Sequence, residues 1–263
     1  MRGLILTVSA SLVLCQVACN QELDPDSRGQ SVGYRRGIGP DEYLSNGERG
    51  NLEVTEILWS GSVTDSGEHD PEDIFIEFRN GHPRPIYLTG WQLIVQSGTG
   101  DQIRDAEYHR TERPAKSYTF PVRENGQPVY TNEYVVLAVK RDGAFPNADF
   151  YLEDLKLPRG RFSITIRDID DRLINGAGDH TEDVFAGGYD LVTSRSMERV
   201  QLLFSNNGAR NASWHAYSYN PWDEEHAERS SGVGDGYREH TFASPGQAAT
   251  PDYSGNSSAG NYE

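Results

Sequence analysis

From Leu52 onward the apolar residues of this chain come in short β-branched and aromatic runs separated by turn residues, and no long run keeps helical spacing. That pattern decides the fold class. A half-buried strand repeats at every second residue, whereas a core-facing helix repeats at about 3.6. The stretch Phe162-Ser163-Ile164-Thr165-Ile166-Arg167-Asp168 alternates cleanly, and Tyr134-Val135-Val136-Leu137-Ala138-Val139 is a continuous apolar run of the kind a fully buried strand carries. Further strands are expected within 52–59, 73–78, 86–88, 91–95, 118–120, 128–130, 172–174, 196–202 and 214–217. Turn chemistry at Asn80-Gly81-His82-Pro83 and an acidic turn at Asp168-Ile169-Asp170-Asp171 separate some of them. With no crossover helices to join parallel strands, the expectation is an all-β sandwich or barrel. Trp91, Leu93, Val136, Ile164 and Trp214 are the expected core.

The two ends lack this pattern. Met1-Arg2 supplies one positive charge, Gly3 to Leu14 is apolar, and Gln16-Val17-Ala18-Cys19 follows. The apolar run is shorter than the ~20 residues a membrane-spanning helix needs. Its order of charge, apolar stretch and small residue is that of a secretory signal, expected over 1–18. Val17-Ala18-Cys19 resembles the lipobox of bacterial lipoproteins, with Gln16 standing where an aliphatic residue is usual. That resemblance implies lipidation of Cys19. Each buried CH₂ then contributes about 0.8 kcal/mol to membrane attachment. Residues 19–50, polar and rich in Gly, Asp, Arg and Ser, read as a flexible tether. A folded domain is expected over 51–247 and a disordered tail over 248–263, where Ala, Ser, Gly and Asn dominate. Asn20, in place of an aspartate after the cysteine, points to the outer membrane or cell surface of the envelope.

Cys15 and Cys19 are the only cysteines. A cut before Cys19 leaves the domain no disulfide, thiolate metal site or cysteine nucleophile. The chain carries 40 acidic against 24 basic residues, a net charge of -16. A field of that sign repels phosphate backbones and disfavours nucleic acid as a partner.

Several motifs lie in the strand region. Val54-Thr55-Glu56-Ile57-Leu58-Trp59, Ile76-Glu77-Phe78-Arg79-Asn80 and Leu88-Thr89-Gly90-Trp91-Gln92-Leu93 follow one another, then Tyr134 to Val139, Ser196-Met197-Glu198-Arg199, Trp214-His215 and Ser244-Pro245-Gly246. In this order they resemble the lamin tail domain family, over Asn51 to about Gln247. Thr55, Arg79 and Ser244 depart from the family's usual residues. The resemblance implies an immunoglobulin-like β-sandwich, with long loop insertions at 97–132 and 142–190, acting as an accessory binding or tethering module. It assigns no catalytic role to the motif residues.

Glu56 and Glu77 sit within strands, where a structural hydrogen bond or an ion pair with Arg199 is the expected use and a metal or ligand role the alternative. Asp168, Asp170, Asp171 and Asp179 could supply oxygen ligands to calcium, although the spacing of a calcium loop is not met. None of the seven histidines makes a zinc-binding spacing. No Gly-x-Ser-x-Gly and no phosphate-cradling glycine loop occurs. The expectation is therefore a lipid-anchored, non-enzymatic envelope module without a cofactor, contacting the membrane through its anchor and a protein or glycan through its domain. Two alternatives carry their own tests. A metal-dependent hydrolase would bring His180, His215 or His226 together with acidic residues in one pocket, and a calcium-stabilised adhesin would gather the aspartates.

Overall fold

The structure is a computed structural model that describes residues 50–98, 115–200, 208–219 and 226–252. The expected signal peptide and most of the tether, with Cys19, lie outside these residues, as do 253–263 and the side chain of His226. The strands are β1 (Leu52–Leu58), β2 (Ser62–Val63), β3 (His69–Asp70), β4 (Phe75–Asn80), β5 (Gln92–Ser97), β6 (Lys116–Thr119), β7 (Tyr134–Ala138), β8 (Phe150–Tyr151), β9 (Phe162–Arg167), β10 (Leu173–Gly178), β11 (Gly188–Tyr189), β12 (Ser194–Arg195), β13 (Met197–Arg199), β14 (Trp214–Ala216) and β15 (Thr241–Phe242). Among the described residues there is one short α-helix, α1 (His226–Arg229), and 3-10 turns span Asn211–Ser213 and Ser230–Gly232. The fold is all-β, as the apolar pattern predicts.

Two larger sheets face each other. One has the order β14-β13-β1-β4-β7-β8, the other β10-β9-β5-β6. Inward residues of the first, such as Val54, Ile57, Ile76, Phe78, Leu137 and Trp214, share one apolar core with Leu93, Val95, Ile164, Ile166 and Ile174 of the second. Trp91, Leu93, Ile164 and Trp214 lie in that core as expected. Val136 is also buried, but it faces the other way. With Leu58, Phe75 and Ala138 it forms a smaller cluster on the outer side of the first sheet, beneath Phe145, Val233 and Ala243. The first sheet is therefore covered on both faces.

A bulge in β1 sorts its side chains between those faces. Pairing with β4 runs Val54↔Phe78 and then Glu56↔Glu77, so Thr55 is the extra residue. Strict alternation would place Glu56 on the same side as Leu52 and Val54, inside the apolar core. The inserted residue reverses the phase. Ile57 then joins Leu52 and Val54 inward, while Leu58 packs in the outer cluster. Glu56 is thereby aimed outward.

Some expected elements differ. Residues 86–88 and 128–130 form no strands and meet through one antiparallel bridge, Ile86↔Val129. Pro83, Pro85 and Pro128 flank that bridge and have no N–H to extend a ladder. The segment 142–190, set apart as a loop insertion, carries β9 and β10, and β9 pairs with β5 at the centre of the second sheet. The region 97–132 likewise contributes β6, the partner of β5 on its other side. The domain also continues past Gln247. Thr250 is buried, and its hydroxyl accepts a hydrogen bond from the Ser218 N–H at 2.9 Å.

Candidate functional site

On the outer face of the first sheet a polar row crosses four adjacent strands. The register sets His215 beside Glu198, Glu198 beside Glu56, and Glu56 beside Glu77. Val136 on β7 continues the row without a charge. The four polar residues are 3%, 0%, 1% and 1% exposed, in that order. Three carboxyl groups side by side in a dry site cannot all ionise cheaply, because removing each anion from water costs several kcal/mol and like charges repel.

The cover is the segment 243–250, which follows β15. β15 itself lies parallel to β12. Each glutamate receives one backbone N–H from the cover. The Ser244 N–H donates to Glu56 Oε1 at 2.9 Å, the Gly246 N–H to Glu77 Oε2 at 2.7 Å, and the Thr250 N–H to Glu198 Oε2 at 3.0 Å. The Thr250 hydroxyl also donates to Glu198 Oε2, and the Thr55 hydroxyl donates to Glu77 Oε1 at 2.6 Å. Thr55, the bulge residue, thus helps hold the carboxyl next door. Arg229 on α1 secures the cover from outside, its Nη1 donating to the carbonyls of Ala248 and Ala249 at 3.2 Å each.

One hydroxyl is shared. Ser244 Oγ lies 2.6 Å from Glu198 Oε1 and 3.1 Å from Glu56 Oε2. A serine has a single hydroxyl hydrogen. It can serve one of these contacts, so the other needs a hydrogen on a carboxyl. Glu198 already accepts two hydrogen bonds from Thr250 and has His215 Nε2 3.8 Å away, which favours its charged form. The proton therefore belongs on Glu56 Oε2, donating to Ser244 Oγ, with Ser244 donating to Glu198. The electrostatics agree. Burial, then the Glu198 charge, push the Glu56 carboxyl up to about 8. Burial, then Glu56, hold Glu77 well above the usual carboxylate range. Burial also raises Glu198, against the opposing pull of His215 and its hydrogen bonds. The His215 Nδ1–H donates to the Ala216 carbonyl at 3.0 Å, fixing the ring.

Arg199, the expected ion partner of Glu56 and Glu77, does not reach them. It follows Glu198 on the strand and points to the opposite face, where it donates to the Val54 carbonyl and to Asn175 Oδ1 at 3.1 Å each and lies over the Trp214 ring. The expected calcium residues are spent elsewhere. Asp168 Oδ1 accepts the N–H groups of Asp170 and Arg172, closing the turn between β9 and β10. Asp170 meets Arg172 and Asp171 meets Arg167, each at 3.5 Å. Asp179 lies past the far end of β10, ~20 Å of strand away, where it caps Thr181. Among the described residues, no group of three or more histidine, cysteine or acidic side chains is placed to hold a metal ion. Of the histidines named for a hydrolase, His215 does meet acidic residues, lying beside Glu198 in the buried row, whereas His180 meets Ser163 on β9 of the second sheet.

Sequence reasoning singled out Glu56 and Glu77 but not their convergence with Glu198, His215, Ser244 and Thr250. The available signal was a glutamate flanked by apolar residues in β1 and β4, but β1 carries a second one at Glu53 and β13 reads Met-Glu-Arg, so the pattern did not single out the row. Compared with known proteins, the chain matches no protein-family model and no curated protein.

Proposed function

We propose that this chain is a lipid-anchored protein of the bacterial cell envelope, held through Cys19, whose immunoglobulin-like, lamin-tail-like domain is a non-enzymatic binding or scaffold module. The observation that carries the reading is how the polar row is used. Glu56, Glu77, Glu198, His215 and the Ser244–Gly246 turn come from separate motifs of the lamin-tail resemblance, and they lie together. Their oxygens are engaged by the domain's own backbone and hydroxyls. A carboxyl–histidine group used in this way supports a role in closing the fold. The two-sheet core supports the immunoglobulin-like assignment, and the lipobox-like Val17-Ala18-Cys19 supports the anchor. A net charge of -16 favours a protein or glycan partner over a nucleic acid.

Radiolabelled palmitate incorporation into the wild type and Cys19→Ala tests the anchor. Label in the wild type alone is the expected result, and an unlabelled wild type rejects the anchor. The mature chain is then screened against protein and glycan arrays and against ester and phosphoester substrates. Saturable binding without turnover is expected, and turnover abolished by His215→Ala would reverse the reading in favour of a hydrolase.

A further inference from the structure

We propose that residues 243–250 form a proton-locked strap, closed over the first sheet while the glutamate row holds a shared proton and released when that proton is lost. Three observations converge. The strap is tied down at three points, with Ser244, Gly246 and Thr250 each donating a backbone N–H to a different glutamate. The Ser244 hydroxyl lies between two carboxyl oxygens with one hydrogen to give. Among the described residues, no lysine or arginine head group reaches the row from the strap side, and His215, beside Glu198, is its one potential cation. The groups facing it are Glu77 from β4, Glu56 from β1, Glu198 from β13 and His215 from β14, with uncharged Val136 from β7. From the cover, Arg229 is spent on the carbonyls of Ala248 and Ala249, and Arg195 of β12 lies over the Phe242 ring.

Closure therefore depends on the protonated carboxyl, which acts as the donor that the strap lacks. When Glu56 ionises, its Oε2 faces the Ser244 oxygen with no hydrogen between them and a second carboxylate beyond. Two buried like charges and one unmade hydrogen bond then oppose closure. The strap is the part that can yield. Its hold on the glutamates is through the bonds just described, whereas the strands beneath are fixed by ladders and by apolar packing on both faces. Burial raises the folded-state affinity of Glu56 for its proton above that of an unfolded glutamate. The locking contribution is therefore complete only below the ordinary glutamate value of 4.5, declines from there, and is lost once pH has risen through about 8.

The test is amide hydrogen exchange of the mature chain at about pH 5.5 and about pH 8.5, with each rate divided by its intrinsic value. Protection at Ser244, Gly246 and Thr250 is expected to fall roughly tenfold or more, because the ratio of protonated to ionised carboxyl changes tenfold with each pH step of one. The core amides of Ile76 and Leu137 should keep theirs. In Glu56→Gln the side-chain amide replaces the carboxyl hydrogen as donor to Ser244, and the fall should vanish. Equal strap protection at both pH values in the wild type, or an undiminished fall in Glu56→Gln, overturns the proposal. Should the variant not fold, infrared spectroscopy of the wild type at neutral pH decides. A carboxylic C=O band shielded from deuterium exchange is expected, and its absence rejects the lock.

Discussion

Glu56 and Glu198 are partners on neighbouring antiparallel strands, and Ser244 Oγ lies within hydrogen-bonding distance of both. Directly opposed like charges destabilise a sheet. The pairing is compatible with a folded domain because one of the two keeps its proton. This has a consequence for the whole domain. The folded state binds protons that an unfolded glutamate releases above its usual range near 4.5, so unfolding free energy decreases as pH climbs from there to about 8. Thermal melts followed by near-ultraviolet circular dichroism should give a higher midpoint at mild acid than at mild alkali. At about 1.4 kcal/mol for each tenfold change in proton affinity, the difference amounts to a few kcal/mol. A midpoint that rises with pH over this interval would contradict the assignment.

Ser244→Ala removes the bridging hydroxyl and keeps the backbone N–H. Glu198 Oε1 then loses its hydroxyl donor in a dry site, and Glu56 keeps only the Ser196 side chain and the Ser244 N–H. A loss of about 1–3 kcal/mol in urea-unfolding free energy is expected, larger at alkaline than at acidic pH. A neutral substitution would show that water or another group satisfies these oxygens.

Arg123 marks a second dependence. Its side chain is 7% exposed; Nη2 donates to Glu133 and Asp149 at 2.6 Å each, Nε to Asp149 at 2.9 Å, and Nη1 to the Pro128 carbonyl at 2.8 Å. Asp149 Oδ2 in turn accepts the Val136 N–H. Arg123→Met should destabilise by about 2–4 kcal/mol, because two partly buried carboxylates lose their counter-ion. The exposed pair Lys156–Glu72 gives the control, since removing Lys156 should change stability by no more than about 1 kcal/mol.

Leu191 sits at the tip between β11 and β12 with φ of 79° and 82% exposure. The Asp190 carboxylate accepts the N–H groups of Val192 and Thr193, and the Tyr189 hydroxyl donates to the Leu191 carbonyl. These bonds hold a left-handed conformation that disfavours a side chain by about 1–2 kcal/mol. Leu191→Gly relieves it at some expense in unfolded-state entropy, for a net gain of roughly 0.5 kcal/mol. Leu191→Val, which adds a β-branch, should lower the midpoint. Equal midpoints for the two variants would mean that the tip relaxes freely.

The all-β class and most of the core were legible because β7 and β9 carry their burial in the order of their residues. The two-residue strands β2, β3, β8, β11, β12 and β15 were not legible, since a period cannot be read from a single pair of residues. The polar row was half legible. Glu56 and Glu77 stand out in apolar strands, but the face that Glu56 takes depends on the bulge at Thr55, and a bulge is a property of pairing rather than of one strand. Arg199 was expected to pair with Glu56 and Glu77, but it is the strand neighbour of Glu198, which joins the row, and adjacent residues of a strand point to opposite faces. The calcium alternative rested on aspartates close in number, and the fold uses Asp168, Asp170 and Asp171 to close the turn between β9 and β10.

The contact between Glu56 and Ser244 joins residues 188 positions apart. β1 lies in the interior of its sheet, and the strap lies across it. A chain emerging N-terminus first, from a ribosome or through a translocation pore, has its opening strand long before the segment that seals it. Closing contacts of such high sequence separation are slow to form. Closure over β1 is thus withheld until residue 250 has been delivered, so the topology itself sets the order of threading first and sealing afterwards.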